Sequence, residues 1–323
     1  MSLELLVGLL SLGFIVGIHE FGHYIVARFC NVGVTTFSIG MGPVIWSRTD
    51  SKGTVWKICA IPIGGYIHPK EEESDVIGLK FKEAGMIKGV LVAFAGPFFN
   101  FLTAFMCLMF VFLYAGVPKL QVSDVAPNSI AQISNIQKGD ILIEINGENV
   151  NEKNISSLLA NPTLKIKRNN EIFEIQINKD EKAALGISLA PSFQSISTYK
   201  AIGYSVSTIW NGVYLIFTQI WEAVSSFKIM GPIGIIKQSA SAHKKGIVAF
   251  VLFIASISVA IGATNLLPIP LLDGGRILMF IVSGIIKRPI PNILEKILNY
   301  ASVCVLIAIF AIGFFVDIKG LIK

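Results

Sequence analysis

Two histidines four residues apart enclose a glutamate in His19-Glu20-Phe21-Gly22-His23. On a helix, positions four apart project from one face, about 40° from each other. Both imidazoles can then reach one zinc ion, with Glu20 beside them to take a proton from a bound water. No charged residue occurs from Leu5 to Ile18, so the helix that carries the motif is apolar enough for lipid. Ionisable groups at membrane depth are costly and are functional candidates by default. The blander readings are a chance motif and a pair of core histidines hydrogen-bonded to neighbours.

Two further polar positions lie in apolar surroundings. Asp273 is the only acid between Glu222 and Glu295. It follows Pro268 and Pro270, which break a helix, free its backbone and let the aspartate turn inward as a third ligand. Its alternative role is to cap the helix predicted over 274–286. Asn100, after Gly96-Pro97, needs a partner at membrane depth, and hydrogen bonding between helices would satisfy it.

The elements that must position these residues follow from composition. Of 323 residues, 53% are hydrophobic and 15% are charged, against an ordinary charged share of about 25%. That balance predicts a polytopic membrane protein. The net charge of +6 fits a positive-inside bias, and no basic block interleaved with aromatics points to nucleic acid. Cys30, Cys59, Cys107 and Cys304 lack CxxC spacing and form no disulfide framework. The start of the chain has Glu4 but no basic leader and no small-residue cleavage site, so the first apolar segment is expected to be retained.

About four transmembrane helices are expected: 5–29, 90–117, one beginning near 247 and apolar to 267, and 300–316. Residues 34–39 and 54–58 alternate with period two about the turn Asp50-Ser51-Lys52-Gly53, which predicts a small sheet near the membrane surface over 32–68. Pro62 and Gly64-Gly65 make 60–67 an edge strand, whose unpaired backbone groups could receive an extended peptide. Residues 69–88 read as a solvated loop. Residues 119–191 read as a soluble insert of short strands, with one turn at Asn146-Gly147 and a hairpin about Asn169-Asn170. The domain organisation is therefore a membrane core half over 1–118, an insert over 119–191, an interfacial helix and linker over 192–246, and a second core half over 247–323.

Depth ties these pieces together. With Arg28, Lys287, Arg288 and Lys296 on the cytoplasmic side, His19 and His23 lie in the inner half of the first span. Asp273 reaches that depth only if 197–227 does not cross. Half a bilayer is about 15 Å, far beyond a metal bond of about 2 Å. This orientation puts the insert outside the cytoplasm.

Taken together, His19-Glu20-Phe21-Gly22-His23, Asn100 after Gly96-Pro97, and Asn265 to Asp273 with its Leu-Asp-Gly ending resemble the site-2 protease family. Phe37-Ser38-Ile39-Gly40, Ile61-Pro62-Ile63-Gly64-Gly65-Tyr66 and Gly231-Pro232-Ile233 are similar to its bacterial regulator-of-sigma-E protease branch. The resemblance implies one zinc ion held by His19, His23 and Asp273, with Glu20 as the catalytic acid and base. It implies that Asn100 and Asn265 help to hold substrate and that Gly64, Gly65 and Tyr66 line its path. It implies that the insert is a single extracytoplasmic PDZ-like mixed α/β domain, with Leu185, Gly186 and Ile187 in its carboxylate-binding loop. The expected substrate is a transmembrane helix of another membrane protein, cleaved in the lipid of a bacterial inner membrane during regulated intramembrane proteolysis. Two other function classes remain: an inactive membrane scaffold recruiting partners through the PDZ-like insert, and a metal transporter, for which a repeat or second ligand set is lacking.

Overall fold

The computed structural model describes residues 3–71, 75–150, 162–169, 171–177, 185–226, 231–288 and 290–322. The chain divides into two compact units, Met1–Val111 with Ile202–Lys323, and Phe112–Ala201.

The first unit contains the apolar helices. Four are long and apolar enough to cross a membrane, with spans at Leu6–Phe29, Gly85–Tyr114, Ile247–Asn265 and Ile293–Asp317. They belong to α1 (Leu3–Phe29), α2 (Gly85–Tyr114), α6 (Ile247–Asn265) and α8 (Asn292–Ile322). The second span begins at 85 rather than 90, and its helix ends before Val117, which is in a strand. The fourth begins at 293 rather than 300, which puts Lys296 inside α8 and not in the loop before it.

Between α1 and α2 the chain forms one long hairpin of β1 (Val34–Thr49) and β2 (Val55–Pro69). Phe37 is opposite both Trp56 and Ile67, and Ile39 is opposite both Ile58 and Gly65, so β2 returns past β1 a second time. Gly65, Tyr66 and Ile67 have strand partners on one side only, among the described residues. The turn is anchored on Asp50. Its Oδ1 accepts from the Lys52 and Thr54 amides at 2.9 and 3.0 Å. Its Oδ2 accepts from the Arg28 guanidinium and the Tyr24 hydroxyl, both at 3.1 Å. The hairpin is thereby tied to the last two turns of α1, with Phe37 packed between the Tyr24 and Trp56 rings.

The stretch expected to be a solvated loop contributes to the core. Val76, Phe81 and Ala84 are buried, and Phe81 and Ala84 pack with Ala27, Val32, Val34 and Val92. The polarity of 70–75 masks an apolar register that begins one residue later.

The stretch expected to lie at the interface, 192–246, contains two helices among its described residues. α4 (Thr198–Ser225) has the length to span but not the apolar character, and it exposes Tyr199, Trp210 and Tyr214. α5 (Pro232–Lys244) lies along α1, with Ser239 Oγ donating to Ser11 Oγ at 3.1 Å and Gly8 against Ile236. The linker expected there is in part a packed helix. Its first amides, Gly231 N and Gly234 N, donate to Asp317 of α8 at 3.1 and 3.0 Å, which gives the carboxylate a helix N-terminus as partner.

The second unit is a six-stranded antiparallel sheet in the order β7-β6-β4-β3-β8, with β5 against β4. Its strands are β3 (Val117–Val125), β4 (Ile141–Ile145), β5 (Glu148–Asn149), β6 (Thr163–Arg168), β7 (Glu171–Gln176) and β8 (Ile187–Gln194), with a short α3 (Ile130–Ile133). Both residues of the Asn146-Gly147 turn have positive φ, as a two-residue hairpin of matching twist requires. Val122, Leu142, Ile145, Leu164 and Ile166 form the core. The Asp140 carboxylate, 1% exposed, accepts two bonds from the Arg168 guanidinium at 2.7 Å.

Partial burial pushes the Asp50 carboxyl up, but the Lys52 and Thr54 amides, the Trp56 indole and Arg28 outweigh it and hold it below the usual carboxylate range. Asp50→Ala is expected to lower stability by about 2 kcal/mol in thermal unfolding of the detergent-solubilised protein. In the wild type this contribution is complete above the unfolded value of about 3.9 and fades as pH falls through the lower folded value, so the variant and wild type should converge in acid.

Candidate active site

His19, Glu20 and His23 lie on the second half of α1, and His19 and His23 are 6% and 8% exposed. Their Nε2 atoms are 3.2 Å apart. The third group arrives from 250 residues further on. α6 ends at Asn265, the chain turns through Pro268 and Pro270, and α7 (Asp273–Ile286) starts on the aspartate itself. Gly274 and Gly275 allow that turn, because a Cβ on either would fall on the carbonyls of Leu266 and Ile269. Asp273 Oδ2 is then 3.0 Å from His19 Nε2 and 3.3 Å from His23 Nε2. Leu272, not Asp273, occupies the cap position of α7, and no side chain caps that helix. The capping alternative is therefore not the role seen.

The three donor atoms lie within 4.8 Å of one another. Among the described residues no fourth His, Cys, Asp or Glu joins the group. Two imidazoles and one carboxylate are the ligand set of a catalytic zinc site, which leaves one position open. Asp273 Oδ2 is buried without a hydrogen-bond partner. A buried carboxylate oxygen left in that state, against two ring nitrogens, fits a cation between them.

The ring nitrogens facing away from the group fix the tautomers. His23 Nδ1 donates to the Val92 carbonyl at 2.7 Å, leaving Nε2 free as a ligand. His19 Nδ1 meets the side-chain amide of Asn100 at 3.1 Å, while Asn100 Oδ1 has no partner. A half-turn of that amide brings Oδ1 to His19 Nδ1–H and satisfies both groups at once. Asn100 is wholly buried, and Ser258 Oγ donates to its carbonyl at 2.9 Å. Asn100, expected to help hold substrate, lies behind His19 in this structure, with its side chain buried.

Gly96 is the close contact between α2 and the two imidazoles. A Cβ there would fall on His23 Nε2 and His19 Nε2, so any side chain would enter the donor group. Gly96 and the Val92 carbonyl both act through the backbone. Neither role has a side-chain signature in the sequence beyond the glycine itself.

Glu20 is half-buried, and its carboxylate has no hydrogen bond to a described residue. Its Cγ lies 3.7 Å from the Cβ position of Gly65, at the free edge of β2. Next to it, between α1 and the hairpin, is an apolar cleft of about 440 Å³ lined by Phe14, Gly17, Ile18, Phe37 and Gly64. Tyr66 follows on the same strand, its ring 4.9 Å from that of His68. Asn265 is half-buried at the end of α6, and its side chain bonds to no described residue.

In the other unit, Leu185 is buried in the core, Gly186 has φ of 78° and Ile187 opens β8 at an edge of the sheet. The carbonyls of Leu185 and Gly186 accept from the Ala131 and Ala126 amides.

The model of peptidase family M50 matches residues 7–309 of the chain. A protein of Clostridium acetobutylicum is 32% identical, covering 90% of this chain and 89% of its own. One of Campylobacter jejuni is 31% identical over 99% and 95%, and one of Rickettsia conorii is 29% identical over 93% and 94%. All three bear the name "Putative zinc metalloprotease".

Removing the Asn100 amide leaves His19 Nδ1–H without an acceptor in a dry site. Asn100→Ala is expected to weaken zinc binding by about 10–100-fold, measured by competition with a chromogenic chelator. Gly96→Leu is expected to abolish it in the same assay, since the added side chain occupies the donor group.

Proposed function

This chain belongs to peptidase family M50 and is a zinc metalloprotease, and from that premise we propose that it hydrolyses a peptide bond within the transmembrane segment of another membrane protein. The observation that carries the reading is the convergence of three buried donors, His19, His23 and Asp273, beside a carboxylate that faces an unpaired strand edge. Zinc bound by those donors would polarise a scissile carbonyl and bring the pKa of a bound water towards neutrality. Val92 and Asn100 hold the two imidazoles in the tautomer that presents Nε2. Glu20 accepts a proton from the attacking water and passes it to the leaving amine.

A transmembrane helix hides its amides in its own hydrogen bonds, so it must unwind before attack. The edge at Gly64, Gly65 and Tyr66 supplies replacement backbone partners to the extended segment, one strand spacing from Glu20. The Gly13–Gly17 side of α1 gives its apolar side chains a cleft, and the unbonded Asn265 amide is available to its backbone. Arg28, Lys287 and Arg288 suit the cytoplasmic face of a bacterial inner membrane and set the active site near that face. We read Phe112–Ala201 as a single PDZ-like domain, supported by the edge position of β8 after Leu185-Gly186-Ile187, where a peptide could add as a strand. Regulated proteolysis of a single-span protein is the biological setting this arrangement suits.

The test is cleavage of candidate single-span proteins by the purified, reconstituted enzyme. Glu20→Gln is expected to keep stoichiometric zinc and to lose at least about 100-fold in rate. A chelator should abolish wild-type cleavage, with recovery on adding zinc. Unchanged turnover in Glu20→Gln would remove Glu20 from the mechanism, and a zinc-free but active wild type would overturn the whole reading.

A further inference from the structure

A second cavity, of about 430 Å³, lies where α2 begins and α7 ends, and none of His19, Glu20, His23 and Asp273 lines it. Positions 276, 279, 280 and 283 of α7 face it, as spacings of three and four place them on one side of a helix, and Lys287 lines it just past the helix end. Its walls are apolar, with Met86, Met279 and the Phe81 and Phe280 rings, whose centroids are 5.0 Å apart.

Among the described lining residues the charges do not balance. Lys82 pairs with Glu295 at 2.8 Å, which joins the start of α2 to α8. That leaves Arg276, Lys287 and Arg288 against Glu71 alone among the lining residues. Among the described residues, the side chains of these three cations have no ion pair and no hydrogen bond. Lys287 is moreover held in a left-handed conformation, φ 54°, a position that glycine or asparagine fills at less cost. The cavity lies beside the starts of the apolar stretches of α2 and α8, at 85 and 293.

An anionic group with a short apolar extension meets every one of these features. Guanidinium pairs hold phosphate oxygens in a planar fork, and basic pockets between membrane helices suit phospholipid headgroups. We propose that this cavity binds one anionic phospholipid, its phosphate held by the adjacent Lys287 and Arg288 at the end of α7 and its glycerol end set against Met86, Met279 and Phe280.

The test is native mass spectrometry of delipidated, zinc-loaded protein titrated with dioleoylphosphatidylglycerol or dioleoylphosphatidylcholine. One phosphatidylglycerol per chain is expected, with at least about tenfold preference over phosphatidylcholine. Lys287→Asn with Arg288→Gln should weaken it roughly thirtyfold while zinc content is unchanged, because each cation near a lipid surface contributes separately. Arg288→Gln alone, expected to weaken it several-fold, keeps the test decisive if the double variant loses zinc. Equal binding of the two lipids, or variants that retain phosphatidylglycerol as the wild type does, would overturn the proposal. So would displacement of the lipid by inorganic phosphate at equal affinity, which assigns the cations to a free anion. Tighter binding of a hexaglutamate peptide than of phosphatidylglycerol would assign them to a protein segment and overturn it equally.

Discussion

A carboxylate enclosed in an apolar helix bundle must be neutralised locally, because no water is there to do it. Asp273 meets that demand with two imidazoles that are themselves oriented from behind, and the three donor atoms lie within 4.8 Å of one another, as a shared cation requires. Much of the surrounding architecture can be understood as the cost of this arrangement. α2 must carry glycine where it crosses the histidines, and α6 must stop so that the chain can double back. α7 must then begin with two glycines beneath the preceding carbonyls. Each departs from a regular apolar helix, and each lies within a few residues of the donors.

A second constraint couples the catalytic helix to the strand that faces it. Asp50 accepts from the end of α1 and from its own turn, so the hairpin cannot move without the helix that bears Glu20. The double return of β2 then leaves Gly65 on an unpaired edge next to that carboxylate. Open edges are ordinarily a liability. Here the edge is short and half-enclosed by α1, which limits pairing with other copies while leaving its backbone groups available. The same economy holds near the start of α2, where Lys82 and Glu295 close one side of a cavity whose remaining cations have no ion pair among the described residues.

Several features were readable from local chemistry. The HExxH spacing, the charge-free run before it and the isolation of Asp273 among apolar residues identified the donors, because helical periodicity and the cost of burying charge act residue by residue. The turns at Asp50–Gly53, Asn146-Gly147 and Asn169 were readable for the same reason, since asparagine, aspartate and glycine adopt backbone angles that other residues avoid. The edge character of the Gly64-Gly65 stretch followed from proline and glycine within a strand.

What sequence alone could not settle depended on which atoms face one another across long stretches of chain. Asn100 was visible as a polar residue in an apolar run, but only packing showed that its side chain meets His19. The burial of Val76, Phe81 and Ala84 was hidden by the charged residues just before them. The helix at 232–244 was too short and too mixed to declare that it would pack along α1. Composition and spacing thus determined which side chains could bind a metal and that an apolar helix would carry two of them. The tertiary structure alone decided their partners, because a hydrogen bond between residues 19 and 100, or a backbone contact at Gly96, depends on how two helices approach and leaves no periodic trace in either one.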